Sequence, residues 1–359
     1  MKRIHPATLA LALVVALTAC NQPAQPSASG VWQLQSSQID FSYWVRGDLQ
    51  YLDLSDPYTA GAYGGVATAN LKSCPKIPYH ADQNSLSLKT GSSSEAVFLL
   101  SVSNDTLTLK NTSGQQATFT KVSEVPAEVK CQTISFASGP VEVHLGVKSG
   151  SNITSDGANL WLADEGGNVY QINPATGQLG TAQLLTNSGY SAIQTMQGGD
   201  FWATEFAGRI STIKRMRLGG SEQDSIDTRV DLSHELATFG AAYSTRLWLA
   251  GQNLSTDQSE LLEVDSDTEP DVLVKVHPLD FYIDKLTIHQ GKLWGLITLL
   301  GWNENQIVEL DTANNTIARS YTLPALDEGD NYRGLTSLDG KLYLLADYGN
   351  AYAIYTVVP

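Results

Sequence analysis

Cysteine is scarce in this chain. Three occur in 359 residues, and no two stand at a Cys-x-x-Cys spacing, which removes the redox-dithiol and zinc-ribbon classes. Bases are scarce as well: lysine and arginine number 22 against 37 acidic residues, for a net charge of −15. A field of that sign repels nucleic acid and excludes it as a partner. The six histidines are scattered without metal-binding spacing. There is no P-loop, EF-hand loop or Gly-x-Ser-x-Gly elbow. No apolar run reaches the roughly 20 residues that a membrane-spanning helix needs.

What the chain does contain is a repeated phrase, a turn followed by a short aromatic strand. It reads Gly157-Ala158-Asn159-Leu160-Trp161, then Gly199-Asp200-Phe201-Trp202, Ser244-Thr245-Arg246-Leu247-Trp248, Gly291-Lys292-Leu293-Trp294 and Gly340-Lys341-Leu342-Tyr343. The aromatic anchors lie 41, 46, 46 and 49 residues apart, the period of β-propeller blades. Five blades are therefore expected over residues 132–359, each anchor packing between neighbouring blades. The fifth blade has only three strands of its own, ending with Tyr352 to Val357. An open edge would remain, and the strand-like run from Val141 to Val147 is expected to fill it. The alternative is a six-bladed ring with residues 132–150 as a degenerate blade.

Residues 30–131 form a separate, less acidic unit, with 9 acids and 7 bases against 28 and 13 in residues 132–359. Short alternating runs at Phe41 to Arg46, Leu49 to Leu54, Leu86 to Lys89, Ala96 to Val102, Thr106 to Lys110 and Ala117 to Val122 predict antiparallel strands joined by hairpins. The Gly30-Val31-Trp32 opening and the closing hairpin, Asn104 to Lys110 then Ala117 to Val122, resemble bacterial lipocalin-like domains. That resemblance implies a small antiparallel barrel with Trp32 plugging one end. Tyr43, Trp44, Tyr51, Tyr58, Tyr63 and Tyr79 offer amphipathic surface for a pocket, or simply core and rim. The fold class expected is thus all-β, a lipocalin-like barrel followed by a five-bladed propeller.

Lys2 and Arg3 precede an apolar stretch from Ala7 to Ala19, ending in Leu17-Thr18-Ala19-Cys20. A basic start, a short apolar core and small residues before a cut describe a secretory signal. With cysteine after the cut, the pattern resembles the bacterial lipobox, which implies a lipid on Cys20 and anchoring to an envelope membrane, with the outer membrane favoured. Residues 1–20 are then the signal, and the Pro, Ser and Gln-rich residues 21–29 a flexible tether. In that oxidising compartment Cys74 and Cys131 are expected to form one disulfide.

Successive second strands enter a propeller in one direction, so residues just past the anchors should converge at one channel mouth. These are Asp164, Glu165, Glu205, Gln252, Asn253 and Asp347, and their hard oxygens could hold Ca²⁺ or Mg²⁺, Asp164, Glu205 and Asp347 being the metal candidates. The phrases from Asn159 to Asp164 and Phe201 to Glu205, with Gly208-Arg209-Ile210, resemble streptogramin-lyase-like, NHL and quinoprotein-like propellers. The lyase resemblance implies a histidine, a glutamate and a magnesium ion, with Glu205 on a matching strand end. Lys214-Arg215-Met216-Arg217, the one basic run, is expected on an outer strand. The leading expectation is a non-catalytic, lipid-anchored envelope protein that binds a partner protein or small ligand. A cation-assisted lyase or hydrolase at the channel mouth is the alternative.

Overall fold

The structure, a computed structural model, describes residues 28–89, 95–137, 139–143, 150–164, 167–185, 192–197, 200–207, 210–268, 270–298, 304–326, 330–348 and 351–359. Cys20 and most of the tether lie outside that set. Among the described residues the chain is nearly all strand, and no helix is long and apolar enough to cross a membrane.

Eight strands form the first domain: Val31–Ser37, Asp48–Asp53, Thr59–Val66, Lys76–Ala81, Ser85–Lys89, Glu95–Ser103, Thr106–Lys110 and Gln116–Val122. Each pairs antiparallel with the next, and the last returns to the first, so the sheet closes into a barrel. A short strand, Leu71–Ser73, lies beside Thr59–Val66. The inward set is legible as period-two alternation: Leu86 and Leu88, Leu107 and Leu109, and Ala117 and Phe119 are all buried. Trp32 is fully buried, its indole N–H donating to the Ala28 carbonyl at 2.7 Å.

One expectation fails here, and of the two readings of the tyrosines the core-and-rim one holds. Phe41 to Arg46 is a tight turn, with Trp44 N and Val45 N both donating to the Phe41 carbonyl. It reads like a strand because Phe41, Tyr43 and Val45 alternate with Ser42, Trp44 and Arg46. The Phe41 and Trp44 rings in fact drop into the barrel beside Phe98, at centroid distances of 6.4 and 5.8 Å. The tyrosines do not gather round a pocket either. Tyr43 and Tyr58 are 59% and 78% exposed, Tyr79 bonds the Leu54 and Asp56 carbonyls, and the interior is filled by aliphatic and aromatic side chains. The strand Thr59–Val66 escapes notice in the sequence because it is rich in Gly and Ala, poor strand formers. Its glycines are required: a Cβ on Gly64 would lie 2.1 Å from the Asp48 carbonyl oxygen, and one on Gly65 1.9 Å from that of Leu71.

The second domain is a ring of five blades. Blade one is Gly150–Ser155, Leu160–Asp164, Asn168–Ile172 and Gln183–Leu184; blade two is Ala192–Gln197, Asp200–Ala207, Ile210–Arg217 and Ser221–Asp227. Blade three is Leu236–Tyr243, Leu247–Asn253, Gln258–Asp265 and Val272–Leu279; blade four is Lys285–His289, Lys292–Ile297, Gln306–Asp311 and Thr316–Thr322. Blade five is Asn331–Leu338, Lys341–Asp347 and Tyr352–Val357, and Val141–Val143 pairs antiparallel with the last of these as its outer strand. The ring closes as expected, with five blades rather than six. Just upstream, Gln132–Thr133 runs parallel to the outer strand of blade four.

Each anchor packs where two blades meet. Trp161 meets Phe201 edge-on at 5.8 Å, Trp202 packs with Leu236 and Leu247 of blade three, and Tyr343 with Ile153 and Leu160 of blade one. The basic run is not on an outer strand. Ile210–Arg217 is the third strand of blade two, covered by Ser221–Asp227. Its arginines converge on the buried Asp200, with Arg215 Nε at 3.2 Å and Arg217 Nε at 2.9 Å. A buried carboxylate needs such partners, and the run supplies them.

Candidate functional site

The barrel docks on blade four. Ala69 and Leu71 join the apolar cluster around Leu310 and Ile317, and Asn70, in the left-handed conformation at φ 54°, donates its side-chain amide to the Ile317 carbonyl at 2.9 Å. Thr68 donates to Asp280 at 2.6 Å, and Gln306 donates to the Lys72 carbonyl at 2.8 Å.

At the centre of this seam sits Glu304, 3% exposed. It accepts from Ser73 Oγ at 2.6 Å, from the Cys74 backbone N–H, and from Gln306 Nε2 at 3.0 Å. Burial pushes its carboxyl above the usual range, and the Ser73 and Cys74 hydrogen bonds and the nearby Arg46 oppose that rise. Cys74 and Cys131 form a disulfide at the same place, as expected from the sequence.

Beside the seam, between the barrel and blades three and four, lies a cleft of about 690 Å³. Leu279, Phe281 and Tyr282 form its apolar wall; Arg46 of the barrel, Gln252, Asp257, Asp280, Asp284 and Thr298 bring polar groups. Arg46 and Glu304 carry no sequence signal. Each is a single residue outside the repeat, and they meet only because two domains dock.

Four of the six expected mouth residues have described side chains, and each is engaged within its own blade. Asp164 accepts from the Asn168 backbone and amide at 2.9 and 3.0 Å and from Tyr170 OH at 3.0 Å, pinning its own hairpin. Asn253 does the same, accepting from Ser255 N at 3.0 Å and donating to Glu260 at 2.9 Å. Asp347 holds Arg333 at 3.2 Å. Gln252 donates to Asp257 and lines the cleft. Glu205 sits in the second strand of blade two opposite Thr212, with its side chain outside the described set, as is Glu165. Among the described residues no three His, Cys, Asp or Glu side chains gather closely enough to hold a metal ion.

A different group stands out at the ring axis. In blade three Gly240 abuts the inner strand of blade four so closely that a Cβ would lie 3.0 Å from the Lys285 Cα. Lys285 is half-buried there, and desolvation lowers its pKa from 10.5 to about 8, against the pull of Asp284 and with the push of Arg333. A depressed lysine pKa means the folded state bears a cost below about pH 8 that vanishes as pH rises past 10.5. Lys285→Met should therefore stabilise the protein by about 2–3 kcal/mol at pH 7, at 1.36 kcal/mol per unit less relaxation. The gain should shrink steadily between pH 8 and pH 10.5. Paired urea titrations across that range decide it, and a pH-independent gain would rule out charge burial as the cause.

No family model and no curated protein sequence matches the chain. Among solved structures, a glutaminyl cyclase from Myxococcus xanthus is similar at 12% identity over 64% of this chain and 98% of that one, with a TM-score of 0.46. The PQQ-bound aldose sugar dehydrogenase of Streptomyces coelicolor is similar at 12% identity over 63% and 98%, with a TM-score of 0.39. The class is a closed barrel joined to a five-bladed propeller.

Proposed function

We propose that this is a lipid-anchored bacterial envelope protein that binds a small ligand between its two domains without transforming it. The observation that carries the reading is the cleft of about 690 Å³ at the domain seam, within the size range of small-molecule sites and combining an apolar wall of Leu279, Phe281 and Tyr282 with convergent polar and charged groups. The barrel is filled, so it contributes a wall and not a cavity. Cys20 and the tether behind it supply the anchor, and the lipocalin-like opening around Trp32 accords with a binding ancestry. The metal-assisted alternative draws no support from Asp164 or Asp347, which donors of their own blades engage.

Protein extracted from its native envelope in mild detergent should carry a small molecule that native mass spectrometry releases. Gln258→Trp, placed on the exposed rim to block the cleft, should emerge at least tenfold depleted in it. A ligand retained undiminished by that variant, or none in either protein, would remove the reading.

A further inference from the structure

The cleft contains one cationic group, and it forms no ion pair within 4.0 Å among the described residues. Arg46 follows the Phe41 to Val45 turn, and its backbone N–H is fixed by Ser73 Oγ at 2.8 Å, so the side chain leaves the barrel at a set point and faces the propeller. Its guanidinium carries five N–H donors. Among the described residues it makes a single hydrogen bond, from Nη2 to the Thr298 carbonyl at 3.3 Å, and no ion pair within 4.0 Å. The carboxylates of the same wall are matched: Asp284 accepts from Thr298 N at 2.6 Å and Oγ1 at 2.8 Å, Asp280 from Thr68 at 2.6 Å, and Asp257 from Gln252. Donors on a largely buried guanidinium are costly to leave unmade. Burial pulls the Arg46 pKa down, although Glu304 and Asp284 favour its charge.

Building on the binding reading above, we infer that the ligand is a small amphipathic monocarboxylate. Its carboxylate takes the forked N–H groups of Arg46, and its apolar body lies along Leu279, Phe281 and the half-open ring of Tyr282. A doubly charged phosphate fits less well, because Asp257, Asp280 and Asp284 line the same space and repel a second negative charge.

The test uses the full chain in detergent and paired probes: 3-phenylpropionate and decanoate, each beside its primary amide, followed by equilibrium dialysis and ligand-observed NMR up to 10 mM. The wild type should bind an acid at least tenfold more tightly than its amide. Arg46→Met should abolish that ratio, Arg46→Lys should keep part of it, and Tyr282→Ala should weaken acid and amide together with the ratio intact. Equal binding of acid and amide, or an acid preference that survives Arg46→Met, overturns the carboxylate assignment and leaves the cleft reading standing. Absence of binding by all four probes overturns both. Melting curves of each variant show whether the fold is retained, and the Tyr282→Ala comparison keeps the test decisive where Arg46→Met fails to fold.

Discussion

Glu304→Ala should lower the unfolding free energy by about 3–5 kcal/mol, because each buried donor left without an acceptor costs about 1–3 kcal/mol. Three hydrogen bonds are lost at once, from Ser73 Oγ, the Cys74 backbone N–H and Gln306 Nε2, the last of which keeps the Lys72 carbonyl. Two of the donors belong to the barrel and one to the propeller, so the damage falls on the domain seam. Glu304→Gln should behave differently. Burial already pushes this carboxyl toward its neutral form, and a neutral amide that keeps one acceptor oxygen should cost within about 1 kcal/mol. The pH dependence has a definite sign. A carboxyl raised in the folded state contributes stability that is present below its ordinary pKa of 4.5 and lost as pH rises through the raised value. Wild type should accordingly gain on Glu304→Gln as pH falls toward 4.5. Urea unfolding of the three proteins at pH 4.5 and 7 checks both statements, and an alanine variant as stable as wild type would dismiss Glu304 as a stabilising element of the seam.

Removing the Cys74–Cys131 bond is the second large effect. The two cysteines are 57 residues apart, and a loop of that length corresponds to about 4 kcal/mol in the chain-entropy account. Cys131 immediately precedes Gln132–Thr133, which lies along blade four, while Cys74 donates its N–H to Glu304. The bond and the carboxylate therefore hold one seam from two sides. Their effects should not add: with the double serine variant, Glu304→Ala should cost at least 1 kcal/mol less than in the oxidised protein, as coupled neighbours do. A double-mutant cycle by urea titration measures that coupling, and strict additivity would mean the two act independently.

The architecture was legible because propellers repeat themselves. Trp161, Trp202, Trp248, Trp294 and Tyr343 recur for one physical reason, the filling of the gap between blades, so the spacing alone exposes the ring. The role of Val141–Val143 was legible from an imbalance, one blade being a strand short. Thr59–Val66 was hidden because its glycines answer backbone crowding and not side-chain pattern. The interdomain cleft was hidden for a deeper reason. Gln252 could be placed from the repeat, but Arg46 and Glu304 become neighbours only through domain docking, which no local periodicity encodes. Asp164 and Asn253 sit where the repeat puts them, and their chemistry turns inward, to hairpin donors that a linear reading cannot rank.

The closure of the ring also governs how the protein reaches its folded state. Val141 and Ile354 face each other across the outer seam of blade five, so the pairing that completes the circle joins segments separated by nearly the whole propeller. Such a contact forms late, because chain entropy opposes it until the intervening blades have condensed. Until then blade five exposes an unpaired edge, open to capture by another copy. The barrel, built from neighbouring hairpins, can condense first and hold the start of the closing segment through Cys131. Refolding should thus show a fast phase in the barrel and a slow, concentration-sensitive phase in which the circle either shuts or associates.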